Sequence, residues 1–417
     1  MSPDARRLTI NVNVLGVGQR PAAWRSPDIV PEAIVDLGHW QRVARLAERG
    51  LVDAIFLADR PAITDPRSRP VQYLDPLVLV PAMAAATERV GFVATASTTL
   101  NEPVELARRL FSLHVATGGR FAWNAVTTWD VEAMRNFGIE ELPERAERYD
   151  RAEEFVQAVR ALWDAAGTRE EVRHRGARLS FDASLGIDPV VPGRPAVVQA
   201  GGSAAGERLA GRVADAVYSI AHDPAASAAH RRAVQAHAAA AGRGADEPRV
   251  YPGLALVIGS TEREAGERFE HWEHQAPPTY SLRELEKALG LDLSDVDLER
   301  PLPDELVREA EAGGGWSEGY RRVLLARIRD ERPTVRALLR DFGGYGQRFL
   351  AGTPERIADA MQEWFDAGAA DGFNVMIDLF PSGLEDLVDH VVPVLQRRGL
   401  FRRGYDDADL LGRFRRP

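Results

Sequence analysis

Short apolar stretches with a two-residue alternation recur along the chain, separated by longer stretches whose apolar residues return every three or four positions. "LTINVNVL" at 8–15 precedes the helical "DLGHWQRVARLAERG", and "DAIFLAD" precedes "DPLVLVPAMAAATER". "VGFVATAS" precedes "EPVELARRLFSLHVATGG", and "GRFAWNAVTTWD" precedes "ERAERYDRAEEFVQAVRALWDAA". "PAVVQAG", "DAVYSI", "VYPGLALVIG" and "GFNVMI" continue the series, with helical patterns between them. Such alternation predicts parallel strands, in a closed barrel or an open doubly wound sheet. The count, about eight strand–helix units, is that of a TIM (β/α)8 barrel, an α/β fold.

The whole chain, 1–417, reads as one domain with two stretches that break the rhythm. One, at about 277–346, is charged and rich in Pro and Gly ("ERPLPDEL", "EAGGGWSEGY", "DFGGYGQ"), and is expected to be a partly helical insertion at the barrel mouth, suited to act as a lid. The other, at about 167–194, contains the irregular "EEVRHRGARLSFDASLGIDPVVPGRP". Together they account for much of the excess over a minimal barrel of roughly 250 residues.

Composition narrows the chemistry. Hydrophobic residues at 45% and charged residues at 27% are those of a soluble globular protein with a sizeable core. A net charge of −10 argues against a nucleic-acid partner. There is no cysteine, which removes disulfides, thiolate nucleophiles and Cys-ligated metals. Lys287 is the single lysine, so Schiff-base chemistry would rest on it alone. With no apolar signal region in "MSPDARRLTINVNV" and no membrane-length apolar run, the expected location is the cytoplasm.

The histidines are scattered; His271 and His274 stand three apart in "ERFEHWEHQ", without the companions of a metal motif, and no metal site is expected. The nucleophile elbow and the common nucleotide-binding glycine motifs are absent. "VVQAGGSAAGERLAGRVAD" is a strand, a glycine turn and a helix start, and Gly202 and Ser203 at the turn allow two readings: an anion site on exposed backbone N–H groups, or a plain helix N-cap. Barrel enzymes work at the C-terminal strand ends, and by that rule the mouth collects Asn13, Asp59, Thr95, Ser97, Asn124, Thr127, Thr128 and Ser203. Neutral hydrogen-bonding groups with one carboxylate suit the rim of a polar heterocycle better than hydrolysis, which calls for paired carboxylates or a histidine base. Each such residue, taken singly, also fits a cap or a turn.

Four long blocks, "GRFAWNAVTTWDVEAMRNFG", "RYDRAEEFVQAVRALWD", "GRPAVVQAGGSAAGERLAGRVADAVY" and "AGTPERIADAMQEWFDAGAADGFNV", closely resemble the bacterial-luciferase-like flavin monooxygenases, in the branch of the nitrilotriacetate, EDTA and dibenzothiophene-sulfone monooxygenases. "GLDLSDVDLERPLP" and "VVPVLQRRGLFRRGY" extend the resemblance over essentially the whole chain. It implies a TIM barrel that receives reduced FMN (FMNH2) from a separate NAD(P)H:FMN reductase and adds oxygen at the flavin C4a. The resulting (hydro)peroxide oxidises a small organic substrate. On matching positions, Asp59, Thr95 and Asn124 would line the isoalloxazine and ribityl region, and Tyr149, with Arg148, and the Gly202–Ser203 turn would hold the phosphate. A homodimer or higher homo-oligomer is implied as well.

"GQRPAAWR" departs from relatives that carry histidine ahead of the corresponding tryptophan: Gln19 and Arg20 stand in those places. They are the candidates for a role toward substrate, with Arg20 either pairing with an anion or pointing to solvent. Two other functions stand beside the monooxygenase: a deazaflavin-dependent hydride-transfer enzyme on the same barrel, and a flavin binder without turnover. A glycosidase-like hydrolase lacks a carboxylate pair at the strand ends.

Overall fold

The computed structural model describes residues 6–20, 23–62, 74–128, 130–168, 170–244, 246–275, 278–313, 318–342, 347–405 and 409–415. Its strands are β1 (Thr9–Asn13), β2 (Ala54–Leu57), β3 (Gly91–Ser97), β4 (Phe121–Val126), β5 (Val172–Arg175), β6 (Ser180–Ala183), β7 (Ala196–Ala200), β8 (Ala216–Ser219), β9 (Arg249–Ile258), β10 (Arg348–Gly352) and β11 (Gly372–Ile377). Eight of these pair in parallel in the closed order β1-β2-β3-β4-β7-β8-β9-β11. The expected TIM barrel is therefore present, with each of the eight anticipated strands in the ring.

The turns into the helices follow from local chemistry. Asp36, Asp75, Asp130, Asp223 and Thr353 each accept backbone N–H groups as N-caps, and Pro76, Pro224 and Pro354 stand in the first helical turn. Alternation then sorts the strand residues. Ile10, Val12, Ile55, Phe92, Trp123 and Val375 face outward into the main core beneath the helices, while Ala54, Phe56, Val93, Ala122, Val198 and Tyr218 face inward. Trp123 is fully buried in the outer layer, with its ring 6.2 Å from Trp163 and its Nε1 donating to the Ala96 carbonyl at 3.0 Å. The same strand thus turns Trp123 to the helices and Asn124 to the barrel axis.

The lower end of the barrel is stoppered by the helix Leu410–Arg415, whose Leu410, Leu411 and Phe414 join the inward cluster. Small residues make the room: a Cβ on Gly91 would come within 2.8 Å of the Leu410 side chain.

At that end three aspartates, each immediately before a strand, repeat one arrangement. Asp53 accepts the Ile10 N–H at 2.8 Å, Asp215 that of Val197 at 2.8 Å, and Asp371 that of Val250 at 2.9 Å. Each is also paired with arginine. Asp53 meets Arg402; Asp215 takes a bidentate pair from Arg194 at 3.0 and 3.1 Å, plus Arg160 and Arg415; Asp371 takes Arg231 at 3.1 Å and Arg249 at 3.3 Å. "VDAI", "ADAV" and "ADGF" carry this signal in the sequence.

The two irregular stretches have structure of their own. In 167–194, β5 and β6 form an antiparallel hairpin against the helix Arg145–Asp164, whose Glu154 accepts the Arg178 and Leu179 N–H groups. In 277–346 the helices Pro278–Leu289, Asp304–Ala312, Glu318–Glu331 and Val335–Phe342 build a separate apolar cluster, against which Ile220, just beyond β8, packs. The glycine-rich stretches at 314–317 and 343–346 lie outside the described residues. β10 is the element that the pattern of apolar residues did not announce. It runs parallel to β9 from Arg348 opposite Leu254 to Gly352 opposite Ile258, on the edge that β8 leaves after Ser219 meets Pro252.

Burial by itself would raise the Asp215 carboxyl, but Arg160, Arg194 and the Val197 N–H hold it well below the usual carboxylate range. Asp215→Asn leaves Arg160 and Arg194 without their counter-charge and Arg415 with Glu247 alone, and should cost about 3–5 kcal/mol of stability in urea unfolding at neutral pH. A lowered carboxyl stabilises the fold above its unfolded pKa of roughly 3.9 and loses that contribution as pH falls toward the folded value. The gap between wild type and variant should therefore narrow below about pH 4. Equal urea midpoints at pH 7 would show that the clasp is not a stabilising element.

Candidate active site

Several inward positions of the upper barrel are polar. Asn11 and Asn374 lie side by side in register across β1 and β11, and Thr95 and Asn124 do so across β3 and β4. All four are buried, as is Asn13 at the top of β1. Thr95 Oγ1 donates to the Leu57 carbonyl at 2.9 Å and accepts from Asn124 Nδ2 at 2.9 Å, which aims the amide and leaves its Oδ1 unengaged. Among the described residues, both amide atoms of Asn11, the Oδ1 atoms of Asn13 and Asn374, and the Tyr218 hydroxyl also have no partner. A buried polar atom without a partner costs about 1–3 kcal/mol, and interiors rarely tolerate several. So many inside one barrel mark a surface made to meet a polar ligand. Asn11 and Asn374 are not among the strand-end candidates; polar residues at every second position of "TINVN" and "FNV" are the signal for them.

Above β3 and β4 the loops are tied together. Ser97 Oγ and Thr128 Oγ1 are 2.6 Å apart, and Ser97 Oγ accepts the Thr99 N–H at 3.0 Å. The Arg148 guanidinium donates to the Thr128 carbonyl at 2.9 Å and to that of Pro143 at 3.0 Å. Burial holds its pKa below the usual value, and these bonds make it a strut for the loop after β4. Tyr149, next to it, is half-buried against the main core. Asp150 pairs with Arg208 at 3.2 Å, which brings the start of the helix Arg145–Asp164 against the helix Ala204–Val213.

That second helix begins at the glycine turn. Ser203 is its N-cap, with Oγ accepting the Gly206 N–H at 3.1 Å, so the capping reading of Ser203 holds. Capping leaves the other first-turn N–H groups directed at the same point, and an anion there remains compatible with it. A Cβ at Gly201 would fall 2.7 Å from Gln199 Nε2 and 3.0 Å from the Gly206 Cα. Only glycine fits that approach.

Asp59 stands beyond β2, exposed at the rim, yet surrounded closely enough by protein that desolvation, aided by the Asp75 charge, pushes its carboxyl up to about 6. Gln19 and Arg20 are both 2% exposed, which rules out a solvent-facing Arg20. The Gln19 N–H donates to the Ile377 carbonyl at 2.8 Å, and its side-chain amide has no partner among the described residues. The Arg20 guanidinium lies in the corner made by the edge-to-face rings of Phe269 and Phe349, 4.7 and 4.4 Å from their centroids. Burial lowers its pKa to about 10 against the opposing pull of Asp378. Asp378 is a residue that strand-end reasoning missed by one position. Buried just past β11, it accepts from Arg268 Nε at 2.7 Å and Trp272 Nε1 at 3.2 Å, fastening the helix Glu262–Gln275 to the mouth. Among the described residues, no cluster of three or more His, Asp or Glu could hold a metal ion, and no helix is long and apolar enough to cross a membrane.

The family model for luciferase-like monooxygenases matches residues 19–371. Nitrilotriacetate monooxygenase component A from Aminobacter aminovorans is 35% identical over 94% of this chain and 93% of its own length. The solved structure of EDTA monooxygenase from a Chelativorans species superposes with a TM-score of 0.80 at 32% identity, covering 99% of each chain. Riboflavin lyase, solved with modified FMN and riboflavin, gives a TM-score of 0.84 at 27% identity over 98% of this chain and 95% of its own.

The Asp59 carboxyl should titrate with a midpoint near 6. Carbon-13 NMR of aspartate-labelled protein should contain a signal with that midpoint that disappears in Asp59→Asn. A midpoint near 4 for that signal would mean that the rim leaves Asp59 fully hydrated.

Proposed function

The chain belongs to the luciferase-like monooxygenase family, and from that premise we propose that it is the oxygenating component of a two-component flavin system, using FMNH2 and O2 to oxidise a small organic substrate. The observation that carries this reading is the set of buried side-chain amide atoms of Asn11, Asn13, Asn124 and Asn374 that have no partner among the described residues. A tricyclic heterocycle with alternating donors and acceptors on its rim fits such a lining. The proposed phosphate end is equally suited: the Gly202–Ser203 turn supplies first-turn N–H groups, and Tyr149 begins the neighbouring helix.

When bound, reduced FMN supplies the chemistry: it activates O2 so that one oxygen atom enters the substrate and the other leaves as water. The chain's own residues then have positioning tasks. Thr95 holds the Asn124 amide so that its Oδ1 accepts from the ring edge, and Asp59 borders the rim. The helices of 278–342, packed on Ile220, limit water at the mouth. Gln19 and Arg20 face the substrate side in this reading, and an arginine desolvated against two phenyl rings favours a substrate with an anionic group.

A component A relative supports a separate NAD(P)H:FMN reductase as the source of FMNH2, and with it a cytoplasmic location. Apolar exposure supports self-association: Val35, Leu37 and Val78 are 56%, 45% and 65% exposed on the adjoining Pro31–Val35, Leu37–Arg49 and Pro76–Ala84 helices.

Anaerobic titration with FMNH2 tests the cofactor, followed by oxygen uptake with a reductase and a panel of small carboxylated amines and thioethers. Saturable one-to-one binding, weakened about tenfold in Asn124→Ala by the loss of roughly 1.4 kcal/mol of hydrogen bonding, is the expected result. Binding of a reduced deazaflavin with none of FMNH2 would replace monooxygenation by hydride transfer. Binding of FMNH2 with no substrate oxidised would leave a flavin carrier.

A further inference from the structure

The glycine turn is approached from a third side. The helix Glu318–Glu331 brings Arg322 over it, and the guanidinium NH2 donates to the Gly202 carbonyl at 2.8 Å while lying 3.4 Å from Glu207 Oε1. Glu207 is in the first turn of the helix that Ser203 caps, with only 11% of its side chain exposed. It accepts from His230 Nδ1 at 3.0 Å.

This arrangement is electrostatically awkward for an arriving anion. A carboxylate beside a helix N-terminus is stabilised by the dipole, yet it repels a phosphate bound at the same end. His230 is buried and held against Glu207, whereas 59% of the Arg322 side chain is exposed and its main acceptor is a neutral carbonyl. A guanidinium bonds an ionised oxygen about twice as strongly as a neutral one, and in bidentate geometry. Arg322 is therefore the cation that can change partners.

A second feature at the turn is short of a ligand. Gln199 is 2% exposed, and both of its amide atoms lie within 2.9 Å of where a Cβ on Gly201 would be. Its Oε1 has no partner among the described residues. A buried amide pressed against a glycine turn with unspent hydrogen-bonding capacity is a group placed for something that binds there.

We propose that Arg322 is a phosphate-binding residue contributed by the 278–342 helices: when FMN binds, its guanidinium moves from the Gly202 carbonyl to the phosphate at the turn, and the phosphate thereby holds the helix Glu318–Glu331 down over the barrel mouth. The inference rests on the flavin reading above and adds to it a coupling between the cofactor's phosphate and the cover of the site. Linkage makes the coupling reciprocal: docking of the helix strengthens FMN binding by the same factor by which FMN strengthens docking.

The comparison of FMN with riboflavin, identical but for the phosphate, isolates the effect. Anaerobic hydrogen–deuterium exchange would follow residues 318–342 of the full chain alone, with FMNH2 and with reduced riboflavin, with affinities measured in parallel. FMNH2 should slow exchange across Glu318–Glu331 and riboflavin should not. Arg322→Ala should weaken FMNH2 binding about 10–100-fold, leave riboflavin unchanged and abolish the FMN-specific protection, and Arg322→Lys should restore part of both. Unchanged FMNH2 affinity in Arg322→Ala, or equal protection by riboflavin, would overturn the inference while leaving the flavin site intact. Wild-type protein that binds neither flavin would remove the cofactor reading and this inference together.

Discussion

Closing eight parallel strands into a ring requires every pairing to keep its register, and here register is pinned at the lower rim by buried aspartates. Asp53, Asp215 and Asp371 each take a backbone N–H from the preceding strand of the ring and then meet arginines from elsewhere in the chain. A one-residue slip would turn every inward side chain outward. The Asn11–Asn374 and Thr95–Asn124 neighbours at the top are therefore consequences of bonds made at the bottom. The arginines come from segments as distant as Arg194, Arg231, Arg402 and Arg415, so the clasps also draw the outer layer and the Leu410–Arg415 helix onto the ring.

The two ends of the barrel are built on opposite terms. Below, the buried Asp53, Asp215 and Asp371 are each matched by arginine, and Leu410 and Phe414 fill the axis. Above, side-chain amides are buried without partners among the described residues, at about 1–3 kcal/mol apiece against a typical total stability of about 5–15 kcal/mol. That deficit is tolerable because the aspartate–arginine clasps below and the helix-facing core around Trp123 carry the stability. The separation of stability from site, expected of this fold, is visible residue by residue along β4, whose Ala122 closes the floor and whose Asn124 opens the site.

The fold was legible because two-residue and three-to-four-residue periodicities are local, and "GFNVMI" or "VGFVATAS" needs no partner to be read as a strand. β10 was not, since "RFLAG" becomes a strand only through the edge of β9 left bare by β8. Among the candidate residues, the Gly202–Ser203 turn could be read from a strand–turn–helix pattern, whereas the bonds of Arg148 to the Thr128 and Pro143 carbonyls could not. Its carbonyl acceptors carry no sequence signature. The burial of Arg20 was likewise invisible, because Phe269 and Phe349, whose rings form the corner that holds it, lie hundreds of residues away in the chain.

The handover from β8 to β10 along one edge of β9 has a geometric outcome. At its base the ring is stitched all round, and Ala216–Ser219 meets Arg249–Pro252 without a gap. Higher up, β9 is bonded to β11 on one side and to β10 on the other, while β8 has already ended and β10 forms no ladder with it. The wall therefore carries a vertical seam on one side, and the cross-section passes from a closed tube to a flared collar. Across that seam the join is made by a side chain, Arg348 Nη1 donating to the His222 carbonyl at 3.2 Å, so this part of the rim rests on a rotamer where the tube beneath it rests on backbone.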